Sequence, residues 1–121
     1  MVFNCIAVNQ DDHVKNISFL MDRQGKWTLS PAYDITFSYN TDNKWLRAHQ
    51  MTVNGKTTGI TKIDIIAAGR KMGIREKRCQ DIIEEIETKV SDFKTYAEQV
   101  GIKEKTYNYI NSVIEANRNT L

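Results

Sequence analysis

From Cys79 onward the apolar residues recur at steps of three and four: Cys79, Ile82, Ile83, Ile86, Val90, Phe93, Ala97 and Val100. Only an α-helix gathers residues at that spacing onto one face, so this stretch has to form an amphipathic helix with one buried side. The pattern predicts a helix over 76–100, stopped by Gly101. A further helix over 103–117 turns Tyr107, Ile110, Val113 and Ile114 inward. Upstream, Thr61 with Asp64 three positions on makes a capping box with the shorter acid. It opens a helix whose Ile63, Ile66, Ala67 and Met72 fall on or near one face, with Gly73 as its stop.

The residues before 60 follow another rule. Ile17–Met21 and Trp27–Leu29 are strand-like runs flanking Asp22-Arg23-Gln24-Gly25, which predicts a β-hairpin. Pro31, the one proline of the chain, ends the second strand because it has no N–H for a ladder. Met1–Val8 is apolar enough to be the end of a buried helix that begins further upstream, and His49–Val53, before Asn54-Gly55, reads as a short extended piece. Trp27, Tyr33, Phe37, Tyr39 and Trp45 are read as packing for the hairpin in preference to a stacking platform for bases. The expected fold is α+β and mostly helical, one domain in two regions, 1–59 and 60–121.

Charge excludes little but is still useful. Seventeen Lys and Arg against fifteen Asp and Glu leave a net +2, and the signs interleave, so no basic face marks a nucleic-acid binder. No apolar run reaches the roughly 20 residues of a membrane span, and the N-terminus lacks the basic start of a signal peptide. Cys5 and Cys79, with no CxxC, read as buried thiols of a reducing cytoplasm.

The chemistry lies in Asn9-Gln10-Asp11-Asp12-His13-Val14-Lys15-Asn16 and, beyond the hairpin, Ser30-Pro31-Ala32-Tyr33-Asp34. Phosphoryl transfer from ATP needs a carboxylate to orient and deprotonate the attacking hydroxyl. It also needs an amide oxygen and a second carboxylate for magnesium. Kinases place the first Asp five positions before the Asn, then a hairpin, then the second Asp. Asp11 precedes Asn16 by five positions, and the hairpin returns the chain so that Asp34, eighteen residues after Asn16, can come back beside it. Lys15 is the candidate phosphate contact, with a solvated loop lysine as the open alternative. Asp12 is read as structural, and His13 as a packing and hydrogen-bonding residue in preference to a metal ligand. His49 is too isolated to assign.

Asp11–Leu20 together with Leu29–Ile35 resembles the C-terminal kinase domain of the HipA toxin family, and the likeness extends more loosely into the helical tail. The resemblance implies a protein-kinase-like C-lobe carrying its catalytic loop beside a small hairpin, and a serine/threonine kinase of toxin–antitoxin systems that uses Mg2+ and ATP. It makes Asp11 the catalytic aspartate, and Asn16 and Asp34 the metal ligands. It also implies a protein substrate, such as a translation factor, and a helix-turn-helix antitoxin as partner.

HipA-type kinases are longer, and their nucleotide lobe precedes the catalytic loop; here ten residues precede Asp11, and no glycine-rich phosphate loop is present. Loss of positioning alone can raise a barrier by on the order of 7–11 kcal/mol. The expectation is therefore a catalytic-loop lobe inactive by itself, which need not bind Mg2+ or ATP alone. One alternative is a non-catalytic interaction module or remnant; another is one chain of a split kinase whose nucleotide lobe is a second chain. A metal-dependent phosphohydrolase using Asp11, Asp12, His13 and Asp34 is the third class.

Overall fold

Thr61 opens the helical half through local chemistry. In the computed structural model, which describes residues 1–121, the Asp64 amide donates to Thr61 Oγ1 at 3.4 Å and the Thr61 amide donates to Asp64 Oδ2 at 3.0 Å. Both halves of the capping box are therefore present. Five helices result: α1 (Val2–Ile6), α2 (Lys62–Lys71), α3 (Glu76–Ser91), α4 (Phe93–Gln99) and α5 (Glu104–Arg118). With one two-stranded antiparallel sheet, β1 (Phe19–Met21) and β2 (Trp27–Leu29), the fold is α+β and mostly helical.

The core joins both halves of the chain. Cys5, Ile6, Ala7 and Val8 at the end of α1 pack with Val53, Ile60, Ile65, Ala68, Ile83, Val90 and Ile114. Helix α1 lies against α3 and α5, and α2 lies against α3. Asn117 of α5 donates its Nδ2 to the Cys5 carbonyl at 2.8 Å, giving the short first helix a partner for a carbonyl near its C-terminal end. Both cysteines are free and buried, and burial pushes the Cys5 thiol up to about 11.

Four expectations need correction. The buried side of α2 is Asp64, Ile65, Ala68 and Gly69, while Ile63 is 78% exposed and Met72 66%. The face is set by contact with α3: a Cβ on Gly69 would lie 2.5 Å from Cys79 Sγ, so α2 turns its one side-chain-free position toward its neighbour. The helix predicted over 76–100 is two helices, separated by a one-residue turn at Asp92 (φ −78°, ψ 5°). The apolar period runs straight through that turn, because Val90 and Ala97 are buried on either side of it and Phe93 packs against the same core; Val100 is exposed. Phe93 stacks on Tyr107 of α5 with ring centroids 5.6 Å apart.

The extended piece at 49–53 is not a strand. Only an isolated bridge joins Val53 to Lys56, around Asn54 and Gly55, both at positive φ, as the primed two-residue turns require. Finally, the hairpin is not packed by its aromatics. It pairs Phe19 with Leu29, Leu20 with Thr28 and Met21 with Trp27. Opposed residues share a face, so Phe19, Leu29, Met21 and Trp27 form one apolar side, and all four are exposed. Tyr33 and Trp45 are exposed too; of the five aromatics only Phe37 and Tyr39 pack on the core.

Candidate functional site

Val8 leaves α1 with φ 57°, an uncommon conformation for a β-branched residue, and turns the chain into the 9–13 loop. A parallel bridge pairs Asn9 with Ser38: the Gln10 amide donates to the Ser38 carbonyl at 2.9 Å, and the Ser38 amide to the Val8 carbonyl at 3.1 Å. The loop before the hairpin is thereby fixed to the segment after it. A 3-10 turn over Val14–Asn16 leads into β1. The hairpin base is closed by Ser30, whose amide donates to the Ser18 carbonyl at 2.9 Å and whose hydroxyl meets that of Ser18 at 2.9 Å. Tyr33 donates its hydroxyl to the Lys15 carbonyl at 2.6 Å, and Asp34 follows at φ 54°.

These connections frame a cavity of about 590 Å³. Asn9, Asp12, His13, Asn16 and Asp34 are among its polar lining residues, and Ile17, Leu29 and Ile35 are among its apolar ones. Asn16 and Asp34 therefore share one space. Asp11 does not line it; its link is through the backbone, since Asn16 Nδ2 donates to the Asp11 carbonyl at 3.0 Å. The Asp11 carboxylate is part-exposed, with His13 Nε2 3.9 Å away, too far for a hydrogen bond. Lys15 is exposed and lies outside the cavity wall.

The donor set can be tested against magnesium. Because Asn16 Nδ2 is committed to the Asp11 carbonyl, its Oδ1 is left as a ligand atom. Asp34 uses its backbone carbonyl, not its carboxylate, in the hydrogen bond it makes with Asn9. One amide oxygen and one carboxylate suit a hard cation that keeps waters and takes further oxygens from phosphates. They fit. No group of three or more His, Cys, Asp or Glu side chains is placed to hold a metal, so the phosphohydrolase arrangement of Asp11, Asp12, His13 and Asp34 gains no support.

Two buried residues of the loop were not assigned a site role from the sequence. Asp12, only 2% exposed, accepts from His49 Nδ1 at 2.8 Å, the Gln50 amide at 2.7 Å and the Met51 amide at 3.3 Å. Burial pushes its carboxyl up, but these hydrogen bonds, the one from His49 foremost, outweigh burial and hold it below the usual carboxylate range. His49, isolated in sequence, is the clamp that joins the 49–51 segment to the loop. Asn9 is the second such residue. Its Nδ2 reaches Asn4 Oδ1 at 3.3 Å and the Asp34 carbonyl at 3.4 Å.

A family model, the HipA-like C-terminal domain, matches residues 1–115. The chain belongs to that family. Comparison with curated proteins and with solved structures finds no match. For this HipA-like domain, the match spans α1, the loop, the hairpin and all but the last residues of α5. No helix of the HipA-like domain is long and apolar enough to cross a membrane.

Proposed function

We propose that this HipA-like domain is the catalytic-loop lobe of a protein-kinase-like serine/threonine kinase, one that transfers phosphate from Mg2+-ATP once a nucleotide-binding lobe is supplied. The observation that carries this reading is the shared cavity of Asn16 and Asp34, with Asn16 tied to the backbone of Asp11. Magnesium supplies charge neutralisation between the phosphates. Asn16 Oδ1 and the Asp34 carboxylate hold it. Asp11 orients a serine or threonine hydroxyl and takes its proton as that oxygen bonds the γ-phosphorus and ADP departs. Lys15 meets the phosphate oxygens only if its side chain folds inward from its exposed position. Family membership supports a toxin–antitoxin setting in the cytoplasm, with a helix-turn-helix antitoxin as partner and a protein substrate.

The test is phosphate transfer from ATP and Mg2+ to a generic protein substrate. The chain alone should give none above background. Activity should appear with a nucleotide-lobe chain added in trans, and Asp11→Asn should lower it by about 10²–10⁴-fold. Activity that is indifferent to Asp11 ends the proposal. A second reading, a non-catalytic interaction module, is favoured by the exposed apolar face of the hairpin. It predicts partner binding that survives Asp11→Asn and no transfer under any combination.

A further inference from the structure

The most deeply buried polar side chain near the cavity is Asn9, 1% exposed, and packing does not explain it. Its Nδ2 donates to Asn4 Oδ1 at 3.3 Å and, at 3.4 Å, to the Asp34 carbonyl. A carbonyl can only accept, so this contact fixes which way the amide points. The other end, Oδ1, is buried without any hydrogen-bond partner. An unpaired buried acceptor costs free energy that an apolar side chain of the same size would avoid. Leucine would fill that space. Side-chain volume alone does not call for an amide here, and its donor end links Asn4 of α1 to one residue of the site, Asp34.

That residue is under backbone strain. Asp34 has φ 54°, a conformation that L residues adopt reluctantly and that persists only where the surroundings impose it. Two contacts impose it: the Asn9–Ser38 bridge holds the segment from the far side, and Asn9 Nδ2 holds the Asp34 carbonyl itself. In the left-handed conformation the carbonyl turns toward the buried amide. Asp34 is among the residues that line the cavity together with Asn16. Released from Asn9, Asp34 is free to relax to negative φ, and its side chain swings with the backbone.

We infer that Asn9 is a positioning residue: by holding the Asp34 carbonyl it keeps Asp34 in its left-handed conformation and its carboxylate in register with Asn16 for a divalent cation. The inference rests on the magnesium reading above and adds a residue to it. Groups that orient a metal ligand commonly matter to affinity by a factor of 10–100.

The experiment uses the full 15N,13C-labelled chain, titrated with Mg2+ alone and followed by NMR. Two protein ligands hold Mg2+ weakly without phosphates, so the titration is carried to high Mg2+. In the parent it then shifts the Asn16 side-chain amide and the Asp34 backbone amide, and absence of both shifts even there sinks the magnesium reading and this inference with it. Asn9→Leu is then expected to keep an unchanged or raised melting temperature. Its Asp34 carbon shifts should leave the left-handed range before any metal is added, and Mg2+ should bind about tenfold more weakly at Asn16. Asn9→His, which keeps an N–H donor, should recover part of both signals. Left-handed Asp34 shifts and parental Mg2+ affinity in Asn9→Leu overturn the inference while the magnesium reading stands. So does an Asn9→Leu chain that fails to fold or melts lower, because Asn9 would then be a structural residue.

Discussion

Asp12 and Asp64 are the two carboxylates the fold holds most firmly, and each carries a consequence at the scale of a single residue. Asp64 accepts from Lys56 Nζ at 2.8 Å, Asn54 Nδ2 at 3.1 Å, and both the hydroxyl and the amide of Thr61. The Lys56 hydrogen bond is the chief cause of its strongly lowered pKa. Both carboxyls sit below their ordinary value of 3.8 in the folded chain. Below that value the unfolded chain binds more protons than the folded one, so stability rises with pH there. The contribution is complete above pH 3.8 and is lost as pH falls through the lower folded values. Melting followed by circular dichroism should show a steep loss on the acid side of that value, and a shallower one in Asp64→Asn. Asp12→Ala leaves the His49 ring and two amides without their acceptor in a dry place. It should cost on the order of 3 kcal/mol, read from the urea midpoint. The two partnerships were not equally legible in the linear chain. Thr61 and Asp64 are three residues apart and announce themselves. Asp12 and His49 are separated by 37 residues, and no periodicity links a loop acid to a lone histidine.

Among the elements, the contact of α2 with α3 is the sharpest test of how side-chain-free positions set a helix face. Alanine at Gly69 gains about 1 kcal/mol of helix propensity, but its Cβ would stand 2.5 Å from Cys79 Sγ, so the buried Cys79 side chain must turn aside or the two helices must move apart. Overpacking of this kind costs roughly 1–3 kcal/mol. Gly69→Ala should therefore destabilise the chain, and Gly69→Ala with Cys79→Ala should recover most of the loss. A double-mutant cycle in urea measures that coupling. The same contact explains a misread face: periodicity places Ile63 and Ile65 on different sides of α2 but cannot say which side meets α3. Elements whose limits are set locally were readable, as with Gly73 and Gly101, both at positive φ just beyond their helices, and with the hairpin around Gly25. The turn at Asp92 was not, since it disturbs neither composition nor period.

The whole molecule has a core shared by α1 and the three longer helices and, apart from it, a hairpin with an uncovered apolar side. The spacing of Asp11, Asn16 and Asp34 was readable because a hairpin is a local device that returns the chain. The exposure of that hairpin was not, because alternating apolar residues look alike whether or not something covers them. Trp27 is 63% exposed and Trp45 59%, and they are the only two tryptophans. The folded chain should therefore emit at nearly the wavelength of the unfolded chain, with little change in the maximum through a urea transition that circular dichroism reports clearly. Trp45→Phe leaves Trp27 as the sole reporter on the hairpin face. If a nucleotide-binding lobe completes this domain in trans, its arrival buries Phe19, Met21, Trp27 and Leu29 together, and the Trp27 emission should move to the blue in a saturable titration. Phe19→Lys would oppose that burial by placing a charge on the covered face, and should weaken the titration without altering the melting of the chain alone. A Trp27 emission that stays red in the presence of a lobe that restores phosphate transfer would place the lobe elsewhere and leave the hairpin face open to another partner.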